Sequence, residues 1–256
     1  MKRIMAFLML LLLSAAGASA EEGTGRKMVR FGHYEQNSIP EDGPEEIEWI
    51  VLREEEGASL LISRFGLEVL PYHETYGDIT WEECSLRAWL NGEFLSAAFT
   101  EAERKAILLH ETDNGPAQNC AGYGTDGGRD TRDFVFLLSY AEAEAYFPDD
   151  AARQCSPTAY ALSRGAHHVM HAGRLRGLWW LRSPGNCQYR VSVVYSGGML
   201  NYTYASKASG CVRPVILADT ELLKAGDEAL PPPHPLRKAL SSSRGTCMLY
   251  PRLTML

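Results

Sequence analysis

The feature that most constrains the fold is a β-hairpin near the C-terminus, flanked by two apolar, strand-like runs. Residues 188–196 and 199–205 surround Gly197-Gly198, a dipeptide suited to a two-residue turn with positive φ. The flanking runs, residues 179–185 and 210–217, each place an arginine next to a proline or one residue from it. We therefore expect a small antiparallel sheet that closes a compact domain.

The turn determines which residues face each other across the hairpin. With Gly197-Gly198 in the turn, Val191 opposes Tyr204, and the apolar side chains share one face. Polar groups held on the other face of a rigid sheet are suited to hydrogen-bond a polar ligand. We predict a ligand-binding face there, and an ordinary solvated sheet face is the alternative. The candidate residues are Arg190, Ser192, Asn201 and Thr203.

The arginines of the flanking runs, Arg182 and Arg213, are expected to be buried. A buried guanidinium needs a carboxylate or several carbonyls for its donors. We predict that both arginines form structural salt bridges that lock the register of the sheet. Substrate binding is the alternative.

The chain contains six cysteines, and all of them follow residue 20. None lies in a C-x-x-C pair, so a zinc knuckle or a thioredoxin-like redox site has no support. The hairpin register brings Cys187 near Cys211, which predicts a disulfide between them, with two buried free thiols as the alternative. Cys247 is the cysteine expected to be unpaired.

The rest of the chain predicts an α+β domain. Residues 28–34, 47–52 and 59–62 have the pattern of strands. Capping boxes at Thr80, Thr100 and Ser139 predict three short helices. Their expected apolar stripes are Leu86, Trp89, Leu90 and Phe94; Ala106, Ile107 and Leu109; and Ala143, Tyr146 and Phe147.

The two ends of the chain are expected to lie outside this domain. Residues 1–20 have the basic, apolar and small-residue segments of a secretory signal peptide, and their apolar run is too short to span a bilayer. Residues 21–219 form the predicted domain. Residues 220–256 are rich in proline and serine and are expected to be a disordered tail. We predict a protein that is secreted or located in the cell envelope, and not membrane-spanning after cleavage.

Charge and metal-ligand patterns exclude several functions. With 32 acidic and 25 basic residues, the formal charge is −7, which disfavours nucleic acid as a partner. The acidic loop 112–133 does not have the spacing of a calcium loop. His167 and His171 have the spacing of zinc ligands on a helix but are bracketed by glycines. We therefore expect no metal and no cofactor.

Several motifs, taken in order, resemble the bacterial family known as domain of unknown function 6273. They are residues 31–36, 43–52, 86–91, 136–139, 179–185 and 212–215. The resemblance implies an exported bacterial protein without an established activity. Trp49, Trp89 and Trp180 lie in these motifs, and we expect them to be structural.

The last strands are also similar to the C-type-lectin-like fold, which includes the formylglycine-generating enzymes. The calcium motifs of sugar-binding lectins and the paired cysteines of those enzymes are absent from this sequence. We predict a secreted, non-catalytic binding module for a glycan or protein at the cell surface. The alternatives are an enzyme of the formylglycine-generating superfamily and a structural cell-envelope protein. An enzyme requires a pocket with a perturbed Cys or His, whereas a binding module requires an exposed aromatic or polar patch.

Overall fold

The computed structural model describes residues 25–223, which form an α+β fold of short elements. The predicted signal peptide and residues 224–256, including Cys247, lie outside the described residues. Residues 220–223, after the last strand, are helical, and Leu223 is buried. The strands are β1 Met28–Tyr34, β2 Glu45–Glu55, β3 Ala58–Ser63, β4 Glu68–Val69, β5 Ile107–Leu108, β6 His110–Thr112, β7 Thr131–Asp133, β8 Val135–Phe136, β9 His168–His171, β10 Arg174–Gly177, β11 Trp179–Pro184, β12 Arg190–Val194, β13 Leu200–Tyr204, β14 Cys211–Val212 and β15 Val215–Asp219.

The helices are short. Three lie between β4 and β5 in the chain, and three lie between β8 and β9. They are α1 Ser85–Trp89, α2 Leu95–Ala98, α3 Glu101–Arg104, α4 Tyr140–Tyr146, α5 Asp150–Arg153 and α6 Ala159–Ser163. A π-helical turn, Leu90–Phe94, joins α1 to α2, and 3-10 turns occur at Pro40–Asp42 and Pro116–Gln118. None of the helices in residues 25–223 is long and apolar enough to cross a membrane.

Most strands belong to two sheets. The first has the order β1-β2-β3-β15-β5, with β8 also pairing with β15. The second has the order β13-β12-β11-β14-β4, and its one parallel pair among these strands is β11 with β14. Buried side chains of both sheets, including Trp49, Leu61, Trp180 and Val193, form one hydrophobic cluster. The sheets therefore share a core.

The N-terminal strands agree with the sequence prediction. β1 has the predicted bounds, and β2 and β3 contain the predicted strands and form an antiparallel hairpin. The charged segment 54–57 lies at the turn of that hairpin, where its side chains are exposed to solvent.

Two of the three predicted capping boxes are confirmed. Ser139 Oγ accepts the Glu142 amide (3.0 Å), and Glu142 Oε2 accepts the Ser139 amide (2.8 Å); Thr100 and Glu103 form the same arrangement. The box at Thr80 is wrong, because the indole of Trp81 is buried and donates to Asp133 (3.0 Å). Residues 81–83 form a turn, and α1 begins later with Cys84 as its N-cap.

The apolar stripe predicted after Thr100 is also wrong. α3 ends at Arg104, and Ile107 pairs with Ala218 as part of β5. Pairing with β15 therefore makes this segment a strand, although its apolar spacing predicted a helix.

Two of the connections that carry the chain from one sheet to the other are short and adjacent. Residues 64–67 join β3 of the first sheet to β4 of the second, and Arg213-Pro214 joins β14 of the second sheet to β15 of the first. Because proline has no amide hydrogen, Pro214 cannot donate in either sheet, which suits the point of crossing. The Ser63 amide donates to the Pro214 carbonyl (3.0 Å), and so the two connections lie side by side.

Candidate functional site

The closing hairpin exists, but its predicted register is wrong by one residue. Arg190 pairs with Tyr204, Val193 with Asn201 and Val194 with Leu200. The sequence had predicted Val191 opposite Tyr204.

The difference arises at the turn. The Tyr195 amide donates to the Met199 carbonyl (2.9 Å), and the Gly198 amide donates to the Tyr195 carbonyl (2.7 Å). Gly198 has φ of +94°, so the loop contains three residues and ends in a left-handed glycine. The glycine pair is compatible with both loop lengths, and the longer loop shifts the register.

The new register separates the four predicted ligand-binding residues. Arg190 and Ser192 now share a face with Tyr202 and Tyr204, and Asn201 and Thr203 lie on the opposite face. Ser192 is fully buried and donates to the Pro184 carbonyl (2.8 Å). The predicted single polar face therefore does not exist, although Arg190 remains partly exposed.

Arg190 instead lies among tyrosines. Its Cζ atom is 4.9 Å from the ring centroid of Tyr204, 5.2 Å from that of Tyr202 and 5.6 Å from that of Tyr189. The guanidinium donates to Tyr204 Oη (3.4 Å) and to Asn186 Oδ1 (3.2 Å). The hydrogen bond to Tyr204 raises the pKa of Arg190, so the group stays charged.

Tyr76 completes the cluster from a distant part of the chain. Its ring centroid is 5.4 Å from that of Tyr189 and 6.1 Å from that of Tyr204, while Tyr189 and Tyr204 are stacked at 5.9 Å. Tyr76 is 68% exposed and Tyr204 is 45% exposed. We call Tyr76, Tyr189, Arg190, Tyr202 and Tyr204 the Arg190–tyrosine patch.

Backbone hydrogen bonds hold the Tyr76 loop against the hairpin. The His73 amide donates to the Ala205 carbonyl (3.1 Å), and the Ile79 amide donates to the Gln188 carbonyl (3.2 Å). Residues on both sides of Tyr76 are therefore bonded to the open end of the hairpin, just before β12 and just after β13. Sequence reasoning missed Tyr76, and its position in a loop with Pro71 and Gly77 was the available local signal.

Arg182 has the salt bridge that its predicted role requires. It is buried in β11 and donates to both carboxylate oxygens of Glu142, with Nη2–Oε1 at 2.9 Å. It also donates to the carbonyls of Leu137 (2.8 Å) and Asp113 (3.0 Å). Of the predicted structural tryptophans, Trp49 and Trp180 are buried and donate to backbone carbonyls, and Trp89 is partly buried against the core.

Residues 25–223 do not supply the salt bridge predicted for Arg213. Within residues 25–223, no carboxylate lies within ion-pair distance of Arg213, and its hydrogen bond goes to the Ser63 carbonyl (2.9 Å). The guanidinium lies over Trp179, with Cζ 4.8 Å from the ring centroid. Arg213 lies between the two sheets, where apolar neighbours take the place of an acidic partner.

The predicted Cys187–Cys211 disulfide is also wrong, and the five described cysteines are free. Cys211 pairs with Trp179 at the start of β11, whereas Cys187 follows the end of that strand. The strand separates the two positions by about 16 Å, at about 3.3 Å per residue. This exceeds the Cα–Cα distance of about 7 Å that a disulfide spans.

The acidic loop and the histidines do not form a metal site in the part of the chain that the structure describes. Residues 25–223 contain no group of three or more His, Cys, Asp or Glu side chains that could hold a metal ion. Carboxylates of the loop accept hydrogen bonds from backbone amides of the same loop. Asp113 accepts one from the Gly115 amide (2.8 Å), and Asp130 accepts one from the Asn114 amide (2.9 Å). His168 and His171 lie on the exposed strand β9.

Comparison with known proteins gives one match. The family model described as "Domain of unknown function (DUF6273)" matches residues 56–219, which include most of the strands and both flanking arginine motifs. No curated protein matched the chain, and no solved structure matched it.

Proposed function

Because the chain belongs to the DUF6273 family, whose description assigns no activity, we propose its function from the geometry: a secreted, non-catalytic binding module for a glycan at the cell surface. The observation that carries this proposal is the exposed Arg190–tyrosine patch. It combines ring faces, phenol hydroxyls and a fixed cation in one place.

The patch matches the surface chemistry of a sugar. A pyranose ring presents C–H groups on its faces and hydroxyls around its edge. Tyrosine offers an apolar ring with a polar end, and such residues are enriched where a ligand is partly apolar and partly hydrated. Tyr76 and Tyr204 are sufficiently exposed for a sugar ring to pack on them. Arg190 has further donors for a hydroxyl or carboxylate of the same sugar.

The patch is also preorganised. Tyr189 and Tyr204 stack on each other, and Arg190 lies over three of the rings. Side chains that are already fixed lose little conformational entropy when a ligand binds, so more of the contact energy contributes to affinity.

The small size of the patch favours a glycan over a protein ligand. A standard protein–protein interface involves about 20–30 residues on each side. The patch has a few aromatic side chains around one cation, which corresponds to one or two sugar units.

Two features support the scaffold and location that we propose. Strand β11, which contains Trp179, Trp180 and Arg182, lies beside β14, which directly precedes Arg213, and this pairing supports a C-type-lectin-like scaffold. The signal-peptide pattern of residues 1–20 supports secretion. N-terminal sequencing of the secreted protein is expected to begin at Glu21, and a chain that begins at Met1 would contradict export.

Burial makes three of the five described cysteines poor candidates for the nucleophile of an enzyme. Burial raises the pKa of Cys84 to about 12 and also raises the pKa of Cys155 and Cys211. A thiol acts as a nucleophile through its thiolate, so these three cysteines are poorly suited to catalysis at neutral pH.

A glycan array with the secreted protein tests the proposal. We expect binding to a limited set of glycans, and we expect Tyr76→Ala to abolish it because an exposed ring of the patch is lost. Phe134→Ala is the matched control, since Phe134 is an exposed aromatic residue outside the patch. The absence of any bound glycan, or equal loss of binding in both folded variants, would contradict the proposal.

A further inference from the structure

A second candidate site lies where the chain crosses between the two sheets. A cavity of about 750 Å³ opens there, and its lining includes Phe65 and Phe147. Five arginines and no acidic residue line it among the residues that the structure describes. The arginines are Arg26, Arg64, Arg174, Arg176 and Arg213.

Arg213 is the buried component of this cavity. Its side chain is 2% exposed, and its Nη1 atom has no hydrogen-bond acceptor in residues 25–223. The side chain is held between Trp179 and Phe147, with Cζ 4.8 Å and 5.5 Å from the two ring centroids. Buried polar groups normally have a partner, so a buried guanidinium nitrogen without one requires an explanation.

The other arginines of the cavity bring no counter-charge close to Arg213, because most of their hydrogen-bond partners are neutral. Arg176 donates to Gln154 Oε1 (3.2 Å) and Ser156 Oγ (2.8 Å), and Arg26 donates to the Tyr146 carbonyl. Glu48 neutralises Arg64 at the adjacent connection. In residues 25–223, Arg26, Arg174 and Arg176 therefore form no ion pair, although the whole chain carries a net charge of −7.

The buried charge of Arg213 is costly without a counter-charge. Burial lowers the pKa of Arg213, and the charge of Arg26 acts in the same direction. A buried charge is normally paired, and removal of its partner destabilises the protein. A ligand that carries negative charge into the cavity would provide that pairing.

We infer that this cavity binds the oxyanion group of a small organic anion, with the guanidinium of Arg213, a residue of the cavity lining, as the innermost donor to that group. The guanidinium group is suited to carboxylate and phosphate, because each of them presents at least two acceptor oxygens to its N–H groups. Phe65 and Phe147 pack against the apolar part of the anion. The cavity volume is within the range of about 300–1,000 Å³ that is usual for small-molecule sites.

This site is independent of the proposed glycan patch. The patch is formed by the β12–β13 hairpin and the Tyr76 loop, whereas the cavity is lined by Arg213, Arg176 and residues near β3. Loss of glycan binding in Tyr76→Ala leaves the anion inference untouched, and loss of anion binding leaves the glycan proposal untouched.

Thermal denaturation of the secreted protein with added anions tests the inference. The probes are phenyl phosphate and phenylacetate, with benzyl alcohol as the uncharged probe and sodium chloride at equal ionic strength as the salt control. We expect one or both anions to raise Tm with saturation, and the uncharged probe and the salt to have no saturable effect. Stabilisation by phenyl phosphate alone assigns a phosphate ligand, and stabilisation by phenylacetate alone assigns a carboxylate ligand.

Variants assign the effect to the cavity. Arg176→Gln, at the rim, is expected to weaken the binding of the active probe about tenfold, as the loss of one charge-assisted hydrogen bond does. Arg213→Met is expected to abolish binding. Arg132→Gln is the matched control, because Arg132 is an exposed arginine outside the cavity. If Arg213→Met does not fold, Arg176→Gln still decides the matter. The absence of saturable stabilisation by either anion, or unchanged affinity in Arg176→Gln, would overturn the inference.

Discussion

Arg182 and Glu142 form an ion pair that ties β11 to α4. The buried guanidinium contacts both carboxylate oxygens, and the same carboxylate accepts the Ser139 amide that begins the helix. Burial acts to raise the pKa of Glu142, but the charge and hydrogen bonds of Arg182 outweigh it, so that the pKa is lowered overall. One acidic residue thus connects a helix cap to the second sheet.

We expect Arg182→Leu to lower the free energy of unfolding by roughly 3–5 kcal/mol at pH 7, because Glu142 is left as an unpaired, partly buried charge. Urea denaturation measures the change. In the wild type, the contribution of Glu142 is present above its ordinary pKa of 4.5 and is lost as pH falls through the lowered folded value.

The pH dependence of the same variant provides a control. Without Arg182, burial raises the pKa of Glu142, so protonation relieves the penalty in acid. The difference in stability between wild type and variant should therefore shrink as pH falls from 7 towards 4. Arg213→Leu should cost less than Arg182→Leu at pH 7, because it leaves no carboxylate of residues 25–223 unpaired. A difference between wild type and Arg182→Leu that is independent of pH would contradict the assigned role of Glu142.

Gly198 is predicted to be essential for the three-residue turn. A Cβ atom there would lie 1.7 Å from the Asp150 carbonyl oxygen, and its φ is +94°. We expect Gly198→Ala to destabilise the protein by about 2–4 kcal/mol, as strain and a backbone clash together do. Gly197→Ala is the control, because nothing lies within 4 Å of the added atom. Equal stability of the two variants would mean that the turn differs from the one described.

The cysteines are expected to differ in reactivity according to burial. Cys120 and Cys187 are partly exposed and should be alkylated in the native protein, whereas Cys84, Cys155 and Cys211 should react after unfolding. Mass spectrometry of peptides from the native protein measures this order. A peptide pair linked through Cys187 and Cys211 would be inconsistent with the fold.

Local signals in the sequence predicted local structure well. The boxes at Thr100 and Ser139 form because both partners are three residues apart, so no distant contact is needed. The box at Thr80 fails because a distant residue, Asp133, holds Trp81 in the core. The local spacing of residues 80–83 could not predict a contact with a residue so distant in the sequence.

The candidate site depended on details that the sequence leaves open. The Gly197-Gly198 pair fits turns of two or three residues, and this one-residue difference moves Asn201 to the opposite face from Arg190. Tyr76 reaches the hairpin through backbone bonds from a loop far away in the chain. For Arg213, burial was predictable, but the lack of an acidic neighbour among residues 25–223 was not.

The most direct test of the glycan-binding proposal compares the two faces of the hairpin. Isothermal titration of the best-bound glycan should show at least about a tenfold weaker affinity for Arg190→Ala, as expected for loss of a hydrogen bond to a charged group. Asn201→Ala, on the opposite face, should bind as the wild type does. Unchanged affinity in a folded Arg190→Ala protein, or a loss confined to Asn201→Ala, would contradict the Arg190–tyrosine patch as the binding site.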